Sequence, residues 1–264
     1  MMGSQTNIEK AAEEIYQSYL SGTPCDPIRD LLPDGDVDAA YQVQEINTGK
    51  WLSEGRRLVG RKIGLTSKAV QTQLGVDQPD YGMLFADMDV PDGEEVGIGK
   101  VSQPKVEAEV AFVLAEDLDE EQLTAADIIS SIDYAVAAIE IVGSRIANWD
   151  IRILDTIADN ASSGLFVLGH QPRKLSEFDP RQCGMVMERR GEPVSMGAGV
   201  ACRGSPVTAA LWLARKMAGV GRPLKKGDII LSGALGPMVP VEPGDVVEAR
   251  IEGLGSVRAA FAAR

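Results

Sequence analysis

One histidine and three cysteines in 264 residues narrow the chemistry before any motif is read. Ser-His-Asp or Cys-His catalysis, and any general base built on imidazole, would rest wholly on His170, within the turn-like Leu168-Gly-His-Gln-Pro172. Acid–base work therefore falls to Asp, Glu or Lys. Cys25, Cys183 and Cys202 are odd in number and lack a C-x-x-C spacing, which argues against a disulfide framework and a zinc knuckle. No window approaches the ~20 apolar residues that span a bilayer, and the opening Met-Met-Gly-Ser-Gln-Thr-Asn lacks the basic-then-apolar order of a signal peptide. A reducing cytoplasm and no membrane association are expected. Positive charge is also scarce: 26 Lys and Arg stand against 39 Asp and Glu, a net charge of −13. Arg56-Arg57 and Lys225-Lys226 are only pairs, so nucleic acid and anionic membranes would be repelled. Gly197-Ala-Gly199 lacks the third glycine and the strand-to-helix setting of a dinucleotide site, and no Walker-type loop occurs.

What is present is an ordinary globular composition, 44% hydrophobic and 25% charged, sufficient for a large core. Ile8, Ala11, Ala12, Ile15 and Tyr19, then Ala39, Ala40, Val43, Ile46 and Trp51, recur at helical spacing. Asp36 is placed to cap the second helix. Beyond Gly55 the texture becomes β-rich, with strands expected at Leu58–Ile63, Val106–Leu114, Ala135–Val142, Gly164–Leu168, Met185–Arg189, Asp228–Leu231 and Val246–Ile251. Helices interrupt at Glu121–Ile132, with Thr124 and Asp127 at capping-box spacing, and at Pro206–Gly219. The expectation is an α+β fold: a helical segment over 1–55 and a β-rich core over 56–264, forming one structural unit.

The chemistry concentrates in Gln103-Pro-Lys-Val-Glu-Ala-Glu-Val-Ala-Phe-Val-Leu114. Strand alternation puts Glu107 and Glu109 on one face, where like charges ~7 Å apart repel unless a cation lies between them. Such a pair suits Mg²⁺ or Mn²⁺, which prefer carboxylate oxygen, although a solvated strand face would carry the same pattern. Glu140 is the single acid in the apolar run Tyr134–Val142. A buried carboxylate needs a partner, either a metal or a proton with hydrogen bonds. Lys62 lies in a short apolar segment between Gly60 and Gly64, where a ligand can approach and an anion could be met. Asp80, after Gln78-Pro79, reads as a turn residue projecting into a cleft.

At these residues the sequence resembles the 2-hydroxypentadienoic acid hydratases, or 2-keto-4-pentenoate hydratases, of the fumarylacetoacetate-hydrolase-like superfamily. The resemblance runs in order along nearly the whole chain. It is carried by Gly60-Arg-Lys-Ile-Gly-Leu-Thr66, Leu74-Gly-Val-Asp-Gln-Pro-Asp-Tyr-Gly82, Leu84-Phe-Ala-Asp-Met88, Gln103-Pro-Lys-Val-Glu-Ala-Glu109 and Ala138-Ile-Glu-Ile-Val-Gly-Ser-Arg145. Asp155-Thr-Ile-Ala-Asp-Asn-Ala-Ser-Ser-Gly164, Ile230-Leu-Ser-Gly-Ala-Leu-Gly-Pro-Met238 and Ile251-Glu-Gly-Leu-Gly-Ser-Val257 extend it. It implies a core of mixed, barrel-like sheets and hydration of a 2-hydroxy-2,4-dienoate in aromatic meta-cleavage catabolism. It also implies Mg²⁺ or Mn²⁺ on Glu107, Glu109 and Glu140, a catalytic pair Lys62 and Asp80, and Ser162 or Ser163 at the substrate pocket. A homo-oligomer and association with a downstream aldolase follow from the same resemblance. The related 4-oxalocrotonate decarboxylases share the three acids, so vinylogous decarboxylation is the alternative activity, and a non-catalytic partner subunit is the alternative of another class.

Overall fold

The computed structural model describes residues 2–68, 71, 72, 76, 78–97 and 99–263. Leu74, Gly75 and Asp77 of the resembling segments lie outside them. Helices α1 (Met2–Ser21) and α2 (Val37–Ser53) open the chain. Ile8, Ala11, Ala12 and Ile15 of α1 and Ala39, Ala40 and Val43 of α2 are buried together with Ile28, Ile146, Leu154 and Ile157, so the helical layer shares one apolar cluster with residues far along the chain. Asp36 caps α2 by accepting from the Ala39 amide at 2.9 Å. Buried amides add direction to this packing. Gln44 Nε2 donates to the Tyr81 and Ile157 carbonyls at 2.8 and 2.9 Å, and Asn47 Nδ2 donates to the Ala12 carbonyl at 3.0 Å.

Among the described residues two mixed sheets follow. The first takes the order β2 (Asp80–Phe85), β1 (Leu58–Gly64), β9 (Ile229–Leu231), β4 (Lys105–Leu114), β5 (Ile132–Val142), β6 (Leu165–Leu168), with β10 (Val239–Pro240) paired to β4. Strand β1 runs antiparallel to β2 and parallel to β9. The second sheet takes the order β3 (Glu95–Val96), β12 (Gly255–Phe261), β11 (Val246–Ile251), β7 (Gly184–Arg189), β8 (Glu192–Ala198), and β11 and β12 pack against β5. The main core lies between the sheets, where Phe112, Ile139, Phe166, Val247 and Val257 are fully buried. Helices α3 (Ala125–Ser131) and α5 (Pro206–Gly219) pack together on the outside, and the short α4 (Ile153–Ala158) packs on α2. The Thr124–Asp127 capping box forms as expected. The described residues contain no helix long and apolar enough to cross a membrane.

Several strands escape the sequence patterns. Strand β2 is buried at every position, so it shows no alternation, and Gly82 interrupts it. Asp80 therefore begins a strand instead of sitting on a turn. Strand β8 carries Pro193 and Gly197, which are tolerated because it is an edge strand, and it is reached from β7 through Arg190 and Gly191 at φ 57° and 81°.

Candidate metal centre and active site

The long β4–β5 pairing sets the centre. Its register places Glu107 directly opposite Glu140 and Glu109 opposite Ala138, so three glutamates meet on one face. One carboxylate oxygen from each lies within 4.8 Å of the others. A solvated strand face is ruled out by burial: Glu109 and Glu140 are 0% exposed. Neither oxygen of Glu140 accepts a hydrogen bond, nor does Glu109 Oε1, whereas Glu109 Oε2 accepts from the Gly233 amide at 2.7 Å. Buried carboxylate oxygens without donors are costly. A hard divalent cation resolves that cost, and an all-oxygen donor set without Cys or His fits Mg²⁺-like ions and not zinc.

Strand β1 brings Lys62 onto the same cluster. Its Nζ donates to the Ala161 carbonyl at 2.7 Å and stands 3.2 Å from Glu140 Oε1, an ion pair without hydrogen-bond alignment. Asp80 sits near the paired end of β2, with Gly64 as its partner residue on β1. Thr156 donates to Asp80 Oδ2 at 3.0 Å, and its hydroxyl lies 3.4 Å from that of Ser162; Asp80 Oδ1 has no partner. Gly64 is what admits this carboxylate. A Cβ there would fall 2.2 Å from Asp80 Oδ1 and 3.5 Å from Lys62 Nζ.

The turn after α4 holds Lys62's acceptor. Asn160, Ala161 and Ser162 all adopt left-handed backbone, with φ of 53°, 52° and 54°. Such conformations cost non-glycine residues energy and persist only where surroundings enforce them. Here Asn160 clamps the turn to β2, its Oδ1 accepting from the Met83 amide at 2.6 Å and its Nδ2 donating to the Met83 carbonyl at 3.0 Å. Gly82 leaves room for the close pass, since a Cβ there would lie 2.2 Å from the Asn160 carbonyl oxygen.

Burial raises the carboxyls of Glu107, Glu109 and Asp80 above the usual range, Glu109 most strongly because Glu140 and Glu107 add repulsion. Glu140 is pushed up to about 7 by burial, with Lys62 pulling it down and Glu107 pushing it up. Burial opposes the charge on Lys62, yet Glu140, Asp80, Glu107 and Glu109 outweigh it and hold its pKa above the ordinary lysine value.

A cavity of about 90 Å³ is lined by Lys62, Asp80, Glu107 and Ser162 together with Val142, Trp149 and other apolar neighbours. Lys62, Asp80, Ser162 and the three glutamates are thus brought together. Ser163 is not: it lines a different cavity. His170 is exposed in a bend. Sequence patterns do not single out Thr156 or Asn160, although Asp-Asn-Ala-Ser-Ser, a run of turn-forming residues between a helix and a strand, marks the place where an unusual backbone sits.

Residues 58–262 match the fumarylacetoacetate (FAA) hydrolase C-terminal family. Over 255 residues the chain is 65% identical to a TodF product hydratase of Pseudomonas putida, covering 97% of this chain and 95% of that protein. It is 56% identical to a 2-keto-4-pentenoate hydratase of Paraburkholderia xenovorans, covering 96% and 94% respectively. Among solved structures, a 4-oxalocrotonate decarboxylase of Pseudomonas putida complexed with magnesium and adipate superposes with a TM-score of 0.93 at 36% identity, covering 97% of this chain and 98% of that one. The chain therefore belongs to the 2-keto-4-pentenoate hydratases within the fumarylacetoacetate hydrolase family.

Proposed function

We propose that this enzyme is a cytoplasmic, homo-oligomeric hydro-lyase that hydrates 2-hydroxypenta-2,4-dienoate to 4-hydroxy-2-oxopentanoate with Mg²⁺ or Mn²⁺ held by Glu107, Glu109 and Glu140. The observation that carries the reading is the convergence of Glu107, Glu109 and Glu140, three of whose buried oxygens accept no hydrogen bond, with Lys62 and Asp80 beside one small cavity lined by Lys62, Asp80 and Glu107. When bound, the ion supplies Lewis-acid polarisation of the substrate's carboxylate and 2-oxygen. Lys62, kept cationic by its acidic neighbours, holds the 2-oxygen as hydroxyl becomes oxo, which offsets the repulsion of an anion by a protein of charge −13. Asp80, buried and free at Oδ1, moves the proton lost from the 2-hydroxyl to the far diene carbon, giving a 2-oxo-3-enoate. The same carboxyl then orients water for addition at the 4-position, with the water's second proton ending on carbon 3. Ser162 bounds the substrate, Thr156 fixes Asp80, and Val142 and Trp149 of the cavity lining limit water around the diene.

The alternative of vinylogous decarboxylation shares this fold, but 65% and 56% identity to hydratases against 36% to the decarboxylase supports hydration. A non-catalytic subunit would have no reason to bury an ammonium among four carboxyls. The product is a 4-hydroxy-2-oxo acid, the class cleaved by a retro-aldol reaction, which is consistent with the association with an aldolase that the family resemblance suggests. The test is to generate 2-hydroxypenta-2,4-dienoate in situ and identify the product with Mg²⁺, with Mn²⁺ and with chelator. Formation of 4-hydroxy-2-oxopentanoate only with metal is expected. Carbon dioxide release from an oxalocrotonate would favour the decarboxylase, and full activity in chelator would remove the metal from the reading.

A further inference from the structure

A second cavity, of about 300 Å³, shares the 160–163 turn with the first: Ser162 lines the catalytic cavity, whereas Asn160 and Ser163 line this one. Its wall gathers Tyr19, Trp51 and Phe85 around the guanidinium of Arg56, which lies 5.6, 5.0 and 4.4 Å from their ring centroids. Asp87 takes only Arg56 Nε, leaving the two terminal nitrogens without a hydrogen-bond partner among the described residues. Two polar atoms in residues of this wall are, in contrast, buried and unpartnered: Trp51 Nε1, in a residue 6% exposed, and Ser163 Oγ, in one 4% exposed. Lys100 completes the lining with an ammonium in no ion pair among the described residues, while Arg145 is already held by Asp159 and the Ser163 carbonyl.

The unpaired cations and the Trp51 indole are donors, Ser163 can donate or accept, and the one carboxylate of the lining, Asp87, is already paired with Arg56. Buried donors without acceptors are rare and point to a missing partner. Aromatic side chains in the wall suit a flat apolar body, and the Arg56 and Lys100 cations suit an anionic head. We propose that this cavity is a second ligand site, separate from the catalytic one, for a small aromatic or conjugated monocarboxylate. It asks nothing of the metal centre and stands whether or not the hydratase reading does.

Benzoate is the probe, titrated calorimetrically into the full-length protein in chelator and again with Mg²⁺ and saturating oxalate. Saturable one-to-one binding of equal affinity in both conditions is expected. Arg56→Met should weaken it by about 10-fold or more, as for loss of a hydrogen bond to a charged group. Trp51→Phe, which keeps an aromatic ring but removes the donor, should weaken it about 5-fold, and Lys100→Ala about 3-fold. Where circular dichroism finds Arg56→Met unfolded, the other two variants carry the test. Absence of saturable binding, which a second copy covering the cavity would also produce, overturns the proposal. So does binding that oxalate abolishes, or that Trp51→Phe and Lys100→Ala leave unchanged.

Discussion

Raising the pH of the metal-free protein from about 4.5 to 7 is expected to destabilise it, and Mg²⁺ is expected to reverse the loss. Glu140 has an ordinary value of 4.5 in the unfolded chain and is pushed up to about 7 in the fold, by burial first, against the pull of Lys62 and with the push of Glu107. A carboxyl with a raised folded-state pKa retains a proton that the unfolded chain has already released. Its contribution is therefore fully present below pH 4.5 and lost as the pH rises through about 7. That gap corresponds to about 3 kcal/mol at most, or roughly 5–10 °C in melting temperature for a chain of this size. Glu107, Glu109 and Asp80 are raised as well and steepen the same slope.

Thermal melts in chelator and in Mg²⁺ across this range measure the effect. Mg²⁺ at about 100 times its dissociation constant adds about 2.7 kcal/mol, and the increment should grow with pH because protons compete for the same oxygens. Glu140→Gln removes one titrating group from the cluster, so it should flatten part of the chelator curve and shrink the Mg²⁺ increment. A chelator melting temperature that is constant or rising from pH 5 to 7, parallel in wild type and Glu140→Gln, would refute the reasoning. Glu140 would then be ionised in the fold without a cation.

Asp80→Asn keeps the side chain's size but removes its basicity, so turnover should fall by about 100-fold while Mg²⁺-dependent oxalate binding persists; near wild-type turnover would make Asp80 structural. Lys62→Met should also weaken oxalate by about 10-fold or more, because only the metal then offsets the protein's negative field, and unchanged oxalate inhibition would exclude Lys62 from anion binding. Gly64→Ala sets a Cβ 2.2 Å from Asp80 Oδ1, so it should lower activity by about 10-fold or more with little change in metal affinity; a fully active variant would show that Asp80 can move without loss. Light scattering should find a species several times the 28.2 kDa chain, and a stable monomer would overturn the homo-oligomer.

The elements most legible in the sequence were those that contradict their surroundings. Glu140 is one acid in an apolar strand, Glu107 and Glu109 are acids where strands disfavour them, and Lys62 is a cation among glycines and aliphatics; each violates a local preference and so shows in the pattern. Their meeting was not legible, because the register that sets Glu107 opposite Glu140 depends on pairing across a connection containing α3. Strand β2 was hidden for the opposite reason. With both of its faces buried, Asp80-Tyr-Gly-Met-Leu-Phe85 has no period to read.

The 160–162 turn marks the limit of local reading. Asn160 is a residue type that accepts left-handed backbone, but Ala161 and Ser162 carry no such signature, and they adopt it at φ 52° and 54°. What enforces it is remote in sequence: Met83 holds Asn160 through two hydrogen bonds, and Gly82 yields the space. The strained carbonyl of Ala161 is in turn the acceptor that orients Lys62 toward Glu140. Gln44 of the N-terminal layer reaches the carbonyls beside Asp80 and Thr156, which ties the helical segment to the same geometry. Catalytic side chains announce themselves by chemistry, but the backbone that aims them is specified by contacts between segments more than a hundred residues apart, as between Gln44 and Ile157, 113 residues apart. A substitution at Asn160 or Gln44 can therefore disarm the site without touching a titratable group.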